Sequence, residues 1–400
     1  MHKPKVAFVY DWFDTSVGGA ERVLQVLHEA YPDAPWYTSH VDLNVASWAV
    51  GWDIRPSFLQ HLPAWFRRNR ILSLPFLPFA FESFDLSGYD TVVSITSAFA
   101  KGIITNAQTR HICYLLTPPR WLHKSSVPNS RFKVVNYLID KVAECFRRWD
   151  YVAAQRVDKY ISISREVARR CTEYYGRESE VLYPPFDEGK WRELSQKYKK
   201  PETIQEGMVA GISNLEHAQP KYYLVVSRLE PYKKVDLAIE AFHQYRVQST
   251  EYKEKAHNVK LVIVGSGSQK ARLKALSSRF NIQESVIWVD GIGDEELARL
   301  YTHCKAIILP QEEDFGYVAC EAMACGAPVV AYDRGGQTEI LENYPLKALC
   351  DEQTAECFAR ALEKIGEIQY NASIYENRNI RGWGGDAFVA TLSQKITQTV

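Results

Sequence analysis

Short apolar runs alternate along this chain with longer segments in which apolar residues recur at helical spacing. This alternation is typical of an α/β protein with parallel sheets, because each strand is followed by a helix that returns the chain to the same edge. The first half contains the candidate strands Val6–Asp11, Trp36–Ser39, Thr91–Thr96, Ile112–Leu116 and Tyr160–Ile163. The second half contains Tyr222–Ser227, Lys260–Val264, Val286–Val289, Ala306–Leu309 and Pro328–Tyr332.

The pattern also divides the chain into two domains. Residues 186–219 are polar and carry no strong periodicity, which makes them the best linker candidate. A chain of 400 residues is also longer than one hydrophobic core usually covers. We therefore predict an N-terminal domain over 1–190, a linker over 191–220 and a second domain over 221–380. Both are expected to be Rossmann-like and to face each other across a cleft, with ligands at the carboxyl ends of the strands.

A further helix is predicted near residue 390. Trp383, Phe388, Leu392 and Ile396 recur at spacings of four to five. Apolar residues at this spacing form one face of a helix, so this segment needs a surface to pack on.

Composition limits the kinds of partner that the chain can have. Its 48 lysines and arginines equal its 48 aspartates and glutamates, so no global positive field recruits nucleic acid. Its eight cysteines form no Cys-x-x-Cys pair and no metal-ligand spacing, and several lie in apolar runs, as reduced buried thiols do. We therefore expect a globular protein of the reducing cytoplasm that binds neither nucleic acid nor a metal ion.

Two stretches have the composition of membrane-surface segments, although no run reaches the roughly 18 apolar residues of a membrane span. No signal peptide is predicted, since the first apolar run, Val6–Tyr10, has only the length of a strand. Trp65–Arg70 mixes aromatic and basic residues and precedes the apolar stretch Ile71–Phe84, which two prolines interrupt. Val134–Arg148 is also mixed. An ordinary amphipathic helix packed on a core explains either stretch as well, so both alternatives stay open.

The largest group of candidate ligand-binding residues lies between residues 310 and 340. Glu313 and Glu321 are eight positions apart across a predicted strand-to-helix turn. Phe315 and Gly316 lie at the turn, where glycine lets backbone N–H groups approach a ligand closely. The helix Tyr317–Cys325 is expected to follow. Both carboxylates can then face one crevice, where they would supply fixed acceptors for sugar hydroxyls.

An explanation without a ligand exists for these glutamates. Acidic residues in the first turn of a helix favour the helix macrodipole whatever the function. Here, however, the two glutamates come with a Phe-Gly turn, a helix of small residues and a second glycine turn at Gly335-Gly336. This combination favours a ligand site.

Gly18 and Gly19 open a second candidate site, at the start of the predicted helix Ala20–Ala30. Unpaired N–H groups at a helix start carry partial positive charge and suit a phosphate. Two glycines alone are a weak signal, because any strand-to-helix turn can require positive φ. Glu21 can serve the helix N terminus instead of a ligand, and the sequence leaves its role open.

Two cations follow the first strand of the second domain. Arg228 comes directly after Tyr222–Ser227, and Lys233 precedes a helix predicted to start at Val235. Charge-assisted bonds from such groups to a diphosphate contribute about 1.5–3 kcal/mol each. They would also neutralise the charge that grows on a leaving nucleotide. Two solvated surface cations are the alternative interpretation.

Taken together, these motifs resemble the family 4 retaining glycosyltransferases, which have the two-domain GT-B architecture. The matching segments are GGAE at 18–21, the R-L-x-P-x-K pattern at 228–233, EDFG at 313–316 and EAMACG at 321–326. The resemblance covers nearly the whole chain. PDAPWYTSHVD, ESFDLSGYD, SAFAKGIIT and VLYPPFD are most similar to an O-antigen mannosyltransferase-like branch.

The resemblance implies a donor site made of Gly19, Arg228, Lys233, Glu313, Phe315, Gly316 and Glu321. Glu313 would hold hydroxyls of the transferred sugar, and Glu321 would hold the ribose hydroxyls. Arg228, Lys233 and Glu313 would act in catalysis. The resemblance further implies a nucleotide-sugar co-substrate, GDP-mannose by default, with no metal or other cofactor. It also implies that the helix within 383–400 crosses back onto the N-terminal domain.

The family pattern is broken at Leu116. The branch usually has a histidine there, beside the transferred sugar, whereas leucine neither hydrogen-bonds nor stabilises charge. Leu116, Arg120 and His123 are therefore candidate specificity residues. Three interpretations stay open: a 6-deoxy sugar whose methyl group contacts Leu116, compensation by His123, or activity that is reduced or absent.

We therefore predict a glycosyltransferase that moves mannose, or a 6-deoxy sugar, from a nucleotide donor to a lipid-linked saccharide or glycan during surface polysaccharide biosynthesis. It would work in the cytoplasm at the inner face of the plasma membrane, with peripheral membrane contact. A non-catalytic glycosyltransferase-like subunit and another GT-B enzyme, such as a phosphorylase, are the alternatives.

Overall fold

The chain folds into two units, each built on its own parallel sheet. The computed structural model describes residues 4–123, 133–198, 222–248, 259–366 and 383–397. The first unit comprises Met1–Pro185 and Gly385–Val400, and the second comprises Phe186–Gly384.

The first unit contains a seven-stranded sheet. Its strands are β1 (Val6–Tyr10), β2 (Trp36–Thr38), β3 (Ile54–Pro56), β4 (Thr91–Thr96), β5 (Arg110–Leu115), β6 (Lys159–Ser162) and β7 (Ser179–Val181). They lie in the order β3-β2-β1-β4-β5-β6-β7, with parallel pairing throughout. The strand order reverses between β1 and β4, which is where doubly wound sheets bind their ligands.

The second unit contains a six-stranded sheet of the same design. Its strands are β8 (Tyr222–Val226), β9 (Lys260–Val264), β10 (Val286–Val289), β11 (Ala306–Leu309), β12 (Val329–Tyr332) and β13 (Lys347–Cys350). Their order is β10-β9-β8-β11-β12-β13, again with parallel pairing. The order therefore reverses between β8 and β11. The predicted α/β class with two parallel sheets is confirmed.

Helices connect the strands in both units. The first unit contains α1 (Gly19–Ala30), α2 (Ala64–Arg68), α3 (Arg70–Ser73), α4 (Leu77–Glu82), α5 (Arg120–His123), α6 (Lys133–Gln155) and α7 (Arg165–Tyr175). The second contains α8 (Glu188–Tyr198), α9 (Val235–Gln248), α10 (Lys270–Arg279), α11 (Asp294–His303), α12 (Tyr317–Cys325), α13 (Gly336–Leu341) and α14 (Ala355–Gly366). Across the described ranges, none of the helices is long and apolar enough to cross a membrane.

The helix α15 (Gly385–Thr397) belongs to the first unit. Phe388 packs edge-on against Tyr114 of β5, with 5.4 Å between ring centroids. Ser393 shares a 2.6 Å hydrogen bond with Tyr31, which follows α1. Phe388, Leu392 and Ile396, three of the four apolar residues whose spacing predicts this helix, are buried.

All ten predicted strands are present within two residues of their predicted ends. The three strands that the sequence pattern misses, β3, β7 and β13, each lie at the edge of a sheet. Position at the edge is not the whole reason, because the edge strand β10 is the apolar run Val-Ile-Trp-Val and is predicted. β3 and β7 read Ile-Arg-Pro and Ser-Glu-Val, with no fully buried side chain, so they give no apolar signal.

One part of the predicted irregular segment is wrong. Residues 188–198 form α8, and Trp191 and Ser195 lie on its buried side. Trp191 contacts the Tyr301 ring of α11 edge-on at 5.9 Å. A single large apolar residue fixes this helix, which is too little for a periodic signal. The rest of the predicted linker, from residue 199 on, lies outside the described residues.

All eight cysteines are free, and seven of them are buried. The expectation of buried thiols is therefore confirmed for those seven. Cys145, on α6, is exposed.

A buried histidine in β5 gives the fold a dependence on pH. His111 is completely buried and shares a 2.8 Å hydrogen bond with Ser94 of β4. Burial, and to a smaller extent the charge of Arg156, lowers the pKa of His111 from 6.5 to about 3. Between these two values the folded chain binds fewer protons at this site than the unfolded chain does, so stability decreases as the pH falls.

We expect His111→Gln to flatten the acid dependence of stability, because glutamine can keep a hydrogen bond to Ser94 without titrating. Below about pH 6, His111 makes the wild-type free energy of unfolding fall by up to roughly 1.4 kcal/mol per pH unit. Denaturant unfolding of both chains between about pH 7 and pH 4.5 measures this slope. Equal slopes in the two chains would contradict the role given to His111.

Candidate functional site

The centre of the second unit's site is an ion pair between two predicted residues. Glu313 lies in the loop that joins β11 to α12, and Lys233 ends a single 3-10 turn, Pro231–Lys233, after β8. Lys233 Nζ is 2.5 Å from Glu313 Oε1. The loops after β8 and β11 meet because these strands are neighbours in a parallel sheet. A carboxylate and an ammonium in contact offer both acceptors and donors to a hydroxylated or phosphorylated ligand.

Two buried amides hold the Glu313 loop, and sequence reasoning missed both. Gln311 Nε2 donates to the same Glu313 oxygen at 2.7 Å. Gln337 Nε2 in turn donates to the main-chain oxygens of Gln311 and Tyr332, each at 2.8 Å. Both glutamines are almost completely buried. Gln311 lies in a loop and Gln337 in the first turn of α13, and a polar glutamine gives no signal of burial in a sequence at either place.

The second glycine turn lies directly against the Glu313 loop. Gly336 N donates to Glu313 O at 2.8 Å, and Glu313 and Gly335 form an isolated parallel bridge. A Cβ on Gly335 would lie 2.4 Å from Glu313 O, and one on Gly336 would lie 2.3 Å from Asp314 O. Gly335 also has φ +90°, a conformation that glycine adopts most readily. The two glycines are therefore required for the close approach of the two loops.

Phe315 and Gly316 connect the ion pair to α12. Phe315 is buried, with ring centroids 5.0 Å from Tyr317 and 5.8 Å from Trp383. Gly316 has φ +114°, and a Cβ there would lie 3.1 Å from Gln337 Cβ. Backbone geometry alone therefore explains Gly316. The contact of this backbone with a sugar stays a prediction.

Glu321 lies in the second turn of α12 and is 4% exposed. Its carboxylate accepts a 3.0 Å hydrogen bond from Tyr301 Oη of α11. Burial, followed by the charge of Glu321, raises the pKa of Tyr301 well above its usual value. The first turn of α12 contains no acidic residue, so the macrodipole explanation is wrong for both glutamates.

Arg228 lies exposed in the loop after β8. Two glycines of the β9–α10 turn fit against the backbone on either side of it. A Cβ on Gly265 would lie 2.0 Å from Ser227 O, and one on Gly267 would lie 2.5 Å from Leu229 O. The turn after β9 therefore fixes the backbone that carries Arg228, while the guanidinium itself faces solvent.

The glycine loop of the first unit is organised by Glu21. This carboxylate is buried and accepts hydrogen bonds from Tyr10 Oη at 3.0 Å, Thr15 Oγ1 at 2.7 Å and Gly18 N at 3.0 Å. The role that the sequence left open is thus structural: Glu21 closes the loop onto the start of α1. Gly19 is the first residue of this helix and is exposed.

The three candidate specificity residues follow β5. Leu116 is buried, and its N–H donates to Thr96 O at 2.9 Å. Arg120 and His123 are the first and last residues of α5. His123 stacks on Tyr174 with 4.1 Å between ring centroids, and its Nε2 is 3.4 Å from Asp150 Oδ2. These contacts with Tyr174 and Asp150 are enough to give His123 a structural role.

Asp150 is the anchor of that arrangement. It is 1% exposed, forms an ion pair with the fully buried Lys101, and accepts a 2.8 Å hydrogen bond from Tyr175 Oη. Burial opposes its charge, but Lys101, His123 and Tyr175 more than offset that effect and lower the pKa of Asp150.

The part of the chain that carries the ion pair matches a known family. Residues 212–380 match the family model described as Glycosyl transferases group 1. Glu313, Lys233, Arg228 and Glu321 all lie within this match. Residues 212–380 are therefore similar to the glycosyl transferases of group 1.

Curated relatives are glycosyltransferases as well. An uncharacterized glycosyltransferase of Methanocaldococcus jannaschii is 33% identical over 124 residues, which are 31% of this chain and 30% of that protein. Alpha-1,3/1,6-mannosyltransferase ALG2 of Dictyostelium discoideum is 22% identical over 310 residues, covering 74% of this chain and 70% of that protein. The chain thus spans less than a third of the length of the archaeal relative. These relatives support a glycosyltransferase.

The fold is also that of solved structures. The crystal structure of HepE from Anabaena in complex with UDP superposes with a TM-score of 0.67, covering 98% of this chain and 99% of that one at 18% identity. The predicted GT-B class of fold is confirmed. The narrower assignment to an O-antigen mannosyltransferase-like branch stays a prediction.

We expect Gly335→Ala to destabilise the second unit by about 2–4 kcal/mol, because its Cβ meets a backbone oxygen at a positive φ. Gly293→Ala is the matched control in the same unit, since a Cβ there meets no heavy atom within 4 Å. Its cost should stay within about 1 kcal/mol, as for other helix N-caps. Denaturant unfolding followed by circular dichroism measures both values, and equal stabilities for the two variants would contradict the close approach.

Proposed function

We propose that this chain is a retaining glycosyltransferase that moves a sugar from a nucleoside diphosphate donor to a lipid-linked saccharide or glycan. The observation that carries the proposal is the Lys233–Glu313 ion pair, which lies where the order of the second sheet reverses and within the matched domain. Ligands of doubly wound sheets bind at that position.

The ion pair suits a donor that carries a diphosphate and a sugar. The Lys233 ammonium has three donors, so it can keep Glu313 and also contact a phosphate oxygen. Arg228, exposed in the same loop after β8, would bind the same diphosphate and neutralise charge as the nucleotide leaves. Glu313 would accept bonds from the sugar hydroxyls, and Glu321 from the ribose hydroxyls.

For a reaction with retention, the acceptor hydroxyl would attack from the face that the nucleotide leaves, and its proton would pass to a departing phosphate oxygen. No covalent intermediate on the protein is required. The protein would contribute orientation and electrostatic stabilisation of the leaving diphosphate, through Arg228 and Lys233. We propose that no metal ion takes part.

Mannose is the proposed sugar. The amoebal relative is named as a mannosyltransferase, and the superposed crystal structure holds the nucleoside diphosphate UDP. The buried, apolar Leu116 supports a 6-deoxy sugar as the alternative to GDP-mannose, because a methyl group packs against leucine. The acceptor would be an intermediate of surface polysaccharide biosynthesis at the cytoplasmic face of the plasma membrane.

Leu116 also favours one other candidate, a non-catalytic glycosyltransferase-like subunit. Such a subunit would have no need to keep charged donor residues. This chain has all four charged donor-site candidates, which supports the enzyme instead: Arg228, Lys233, Glu313 and Glu321.

The first experiment is thermal stabilisation by a panel of nucleotide sugars that includes GDP-mannose and 6-deoxy donors. A donor present at 100 times its dissociation constant stabilises the folded state by about 2.7 kcal/mol. Glu313→Ala and Arg228→Ala should lose most of this effect, whereas Glu284→Ala and Arg279→Ala, both exposed in the same unit, should keep it. Release of nucleoside diphosphate with a lipid-linked acceptor then tests transfer.

The outcomes separate the candidates. Stabilisation by a 6-deoxy donor would identify Leu116 as a specificity residue. Stabilisation by GDP-mannose would show that a mannosyltransferase tolerates leucine in place of histidine at this position. If no nucleotide and no nucleotide sugar stabilises the chain, the transferase proposal is refuted and the non-catalytic subunit replaces it.

Tyr301→Phe tests the ribose role of Glu321. Without the Tyr301 hydroxyl, the buried carboxylate loses a hydrogen bond that fixes its orientation. We expect nucleotide affinity to fall by about three- to tenfold, equivalent to about 0.7–1.4 kcal/mol. Calorimetric titration with a ribonucleotide and with its 2′,3′-dideoxy analogue measures the preference for ribose. That preference should shrink in the variant; an unchanged ratio would show that Glu321 does not bind ribose.

A further inference from the structure

The surface of the first unit carries a concentration of exposed apolar side chains that the proposed reaction does not use. In the described ranges, six of the eighteen large apolar side chains that are exposed lie between residues 58 and 79. We call them the apolar patch: Phe58, Trp65, Ile71, Leu72, Phe76 and Phe79. Ile71 is 81% exposed, Trp65 68% and Phe79 62%. Every phenylalanine that is exposed in those ranges belongs to the patch.

The patch lies on five short helical segments that follow one another and pack on the core: α2, α3, α4 and the 3-10 turns Phe58–His61 and Leu74–Phe76. On the inner side, Leu59, Leu77, Ala80 and Phe81 are buried in the core that includes β1 and β4. The partly buried Phe66 links the outer side, with ring centroids 5.9 Å from Trp65 and 5.7 Å from Phe76. Packing on the core therefore explains why the inner residues are apolar, but it does not explain why the exposed outer residues are apolar.

The charge of this region has one sign. From residue 54 to residue 81 the sequence contains four arginines and no aspartate or glutamate. Arg68 and Arg70 do pair with Asp42 and Asp14, yet those carboxylates are only 4% and 8% exposed, while the arginine side chains are 51% and 38% exposed. At Arg68 and Arg70 the surface thus presents guanidinium groups and hides the acids that pair with them. Arg55, at the start of this region, pairs instead with Asp53, which is 50% exposed.

The local geometry keeps these arginines in place. Arg70 stacks its guanidinium over the Trp12 ring at 3.9 Å and donates to both oxygens of Asp14, at 2.7 and 2.9 Å. Arg67 donates to the carbonyls of Gln60 and Leu62, at 2.9 and 3.2 Å. Fixed guanidinium groups lose little side-chain entropy when they bind a phosphate group.

We propose that the apolar patch is a docking surface for a phospholipid bilayer that contains anionic headgroups. The aromatic and aliphatic side chains would enter the boundary between headgroups and acyl chains, and the arginines would contact lipid phosphates. The exposed guanidinium groups of Arg68 and Arg70, whose partner acids are buried, fit such a bilayer, whereas a second copy of the chain would bring the same arginines together. The inference goes beyond the transfer reaction, and its test does not depend on that reaction.

Flotation of the full chain with lipid vesicles tests this proposal. The probes are vesicles of phosphatidylcholine alone and vesicles that also contain phosphatidylglycerol. We expect the wild type to float with the anionic vesicles and to bind phosphatidylcholine more weakly. Trp65→Ser combined with Phe79→Ser should reduce partitioning at least about tenfold, because two large side chains no longer leave water.

Val152→Ser is the matched control, since Val152 lies on α6 of the same unit and is 59% exposed. It should float like the wild type. Melting temperatures near that of the wild type for all variants would show that each chain is folded. Donor-induced stabilisation, measured on the same variants, should be unchanged, so failure of docking and failure of the transferase proposal remain distinguishable.

Two results would overturn the proposal. The first is a failure of vesicle binding to depend on the patch: either the wild type binds neither kind of vesicle, or a folded double variant floats as well as the wild type does. The second is a wild type that dimerises without lipid, by light scattering, while the double variant is monomeric; the patch would then be a contact between copies of the chain.

Discussion

A buried carboxylate has to find hydrogen-bond donors, and this requirement shapes the loops at the carboxyl ends of the strands in both units. Asp11, directly after β1, is 1% exposed and accepts bonds from Thr96 Oγ1 and from the N–H groups of Ser97, Phe99 and Ala100, each at 2.8 Å. It thereby joins the loops after β1 and β4, the two strands between which the sheet reverses. Leaving such a charge without partners would cost several kcal/mol, so these loops have little freedom.

Glutamates repeat this principle around the sites themselves. Glu21 gathers the glycine loop before α1, Glu321 is held by Tyr301, and Glu313 by Lys233 and Gln311. Glycines are needed as well, because the donors reach these carboxylates only where two backbone segments come close together. At Gly335 and Gly336 the neighbouring backbone leaves no room for a Cβ. Charge and the absence of side chains thus act together to place the functional groups.

Sequence reasoning found what depends on local pattern. The central strands are predicted because they are covered on both faces, and the edge strand β10 because it is apolar throughout, whereas β3 and β7 are missed because they have no apolar run. Glu313 and Lys233 were found as separate members of two motifs, but their contact depends on the adjacency of β8 and β11, which periodicity does not encode. Gln311, Gln337 and Tyr301 were missed, since a residue that supports a functional group through one hydrogen bond has no spacing of its own. The roles of the site residues toward a donor stay predictions.

The first unit is made from two separated pieces of chain, which affects how it is produced. Its sheet is complete at β7, but α15, which covers Tyr114 and bonds to the end of α1, is synthesised about 200 residues after Pro185. At ribosomal rates of roughly 5–20 residues per second, that interval lasts on the order of 10–40 s. During this time the second unit is being synthesised, and the nascent first unit exposes the apolar surface that α15 later covers. A chaperone that protects this surface from aggregation would therefore have to act throughout this interval, before α15 is made.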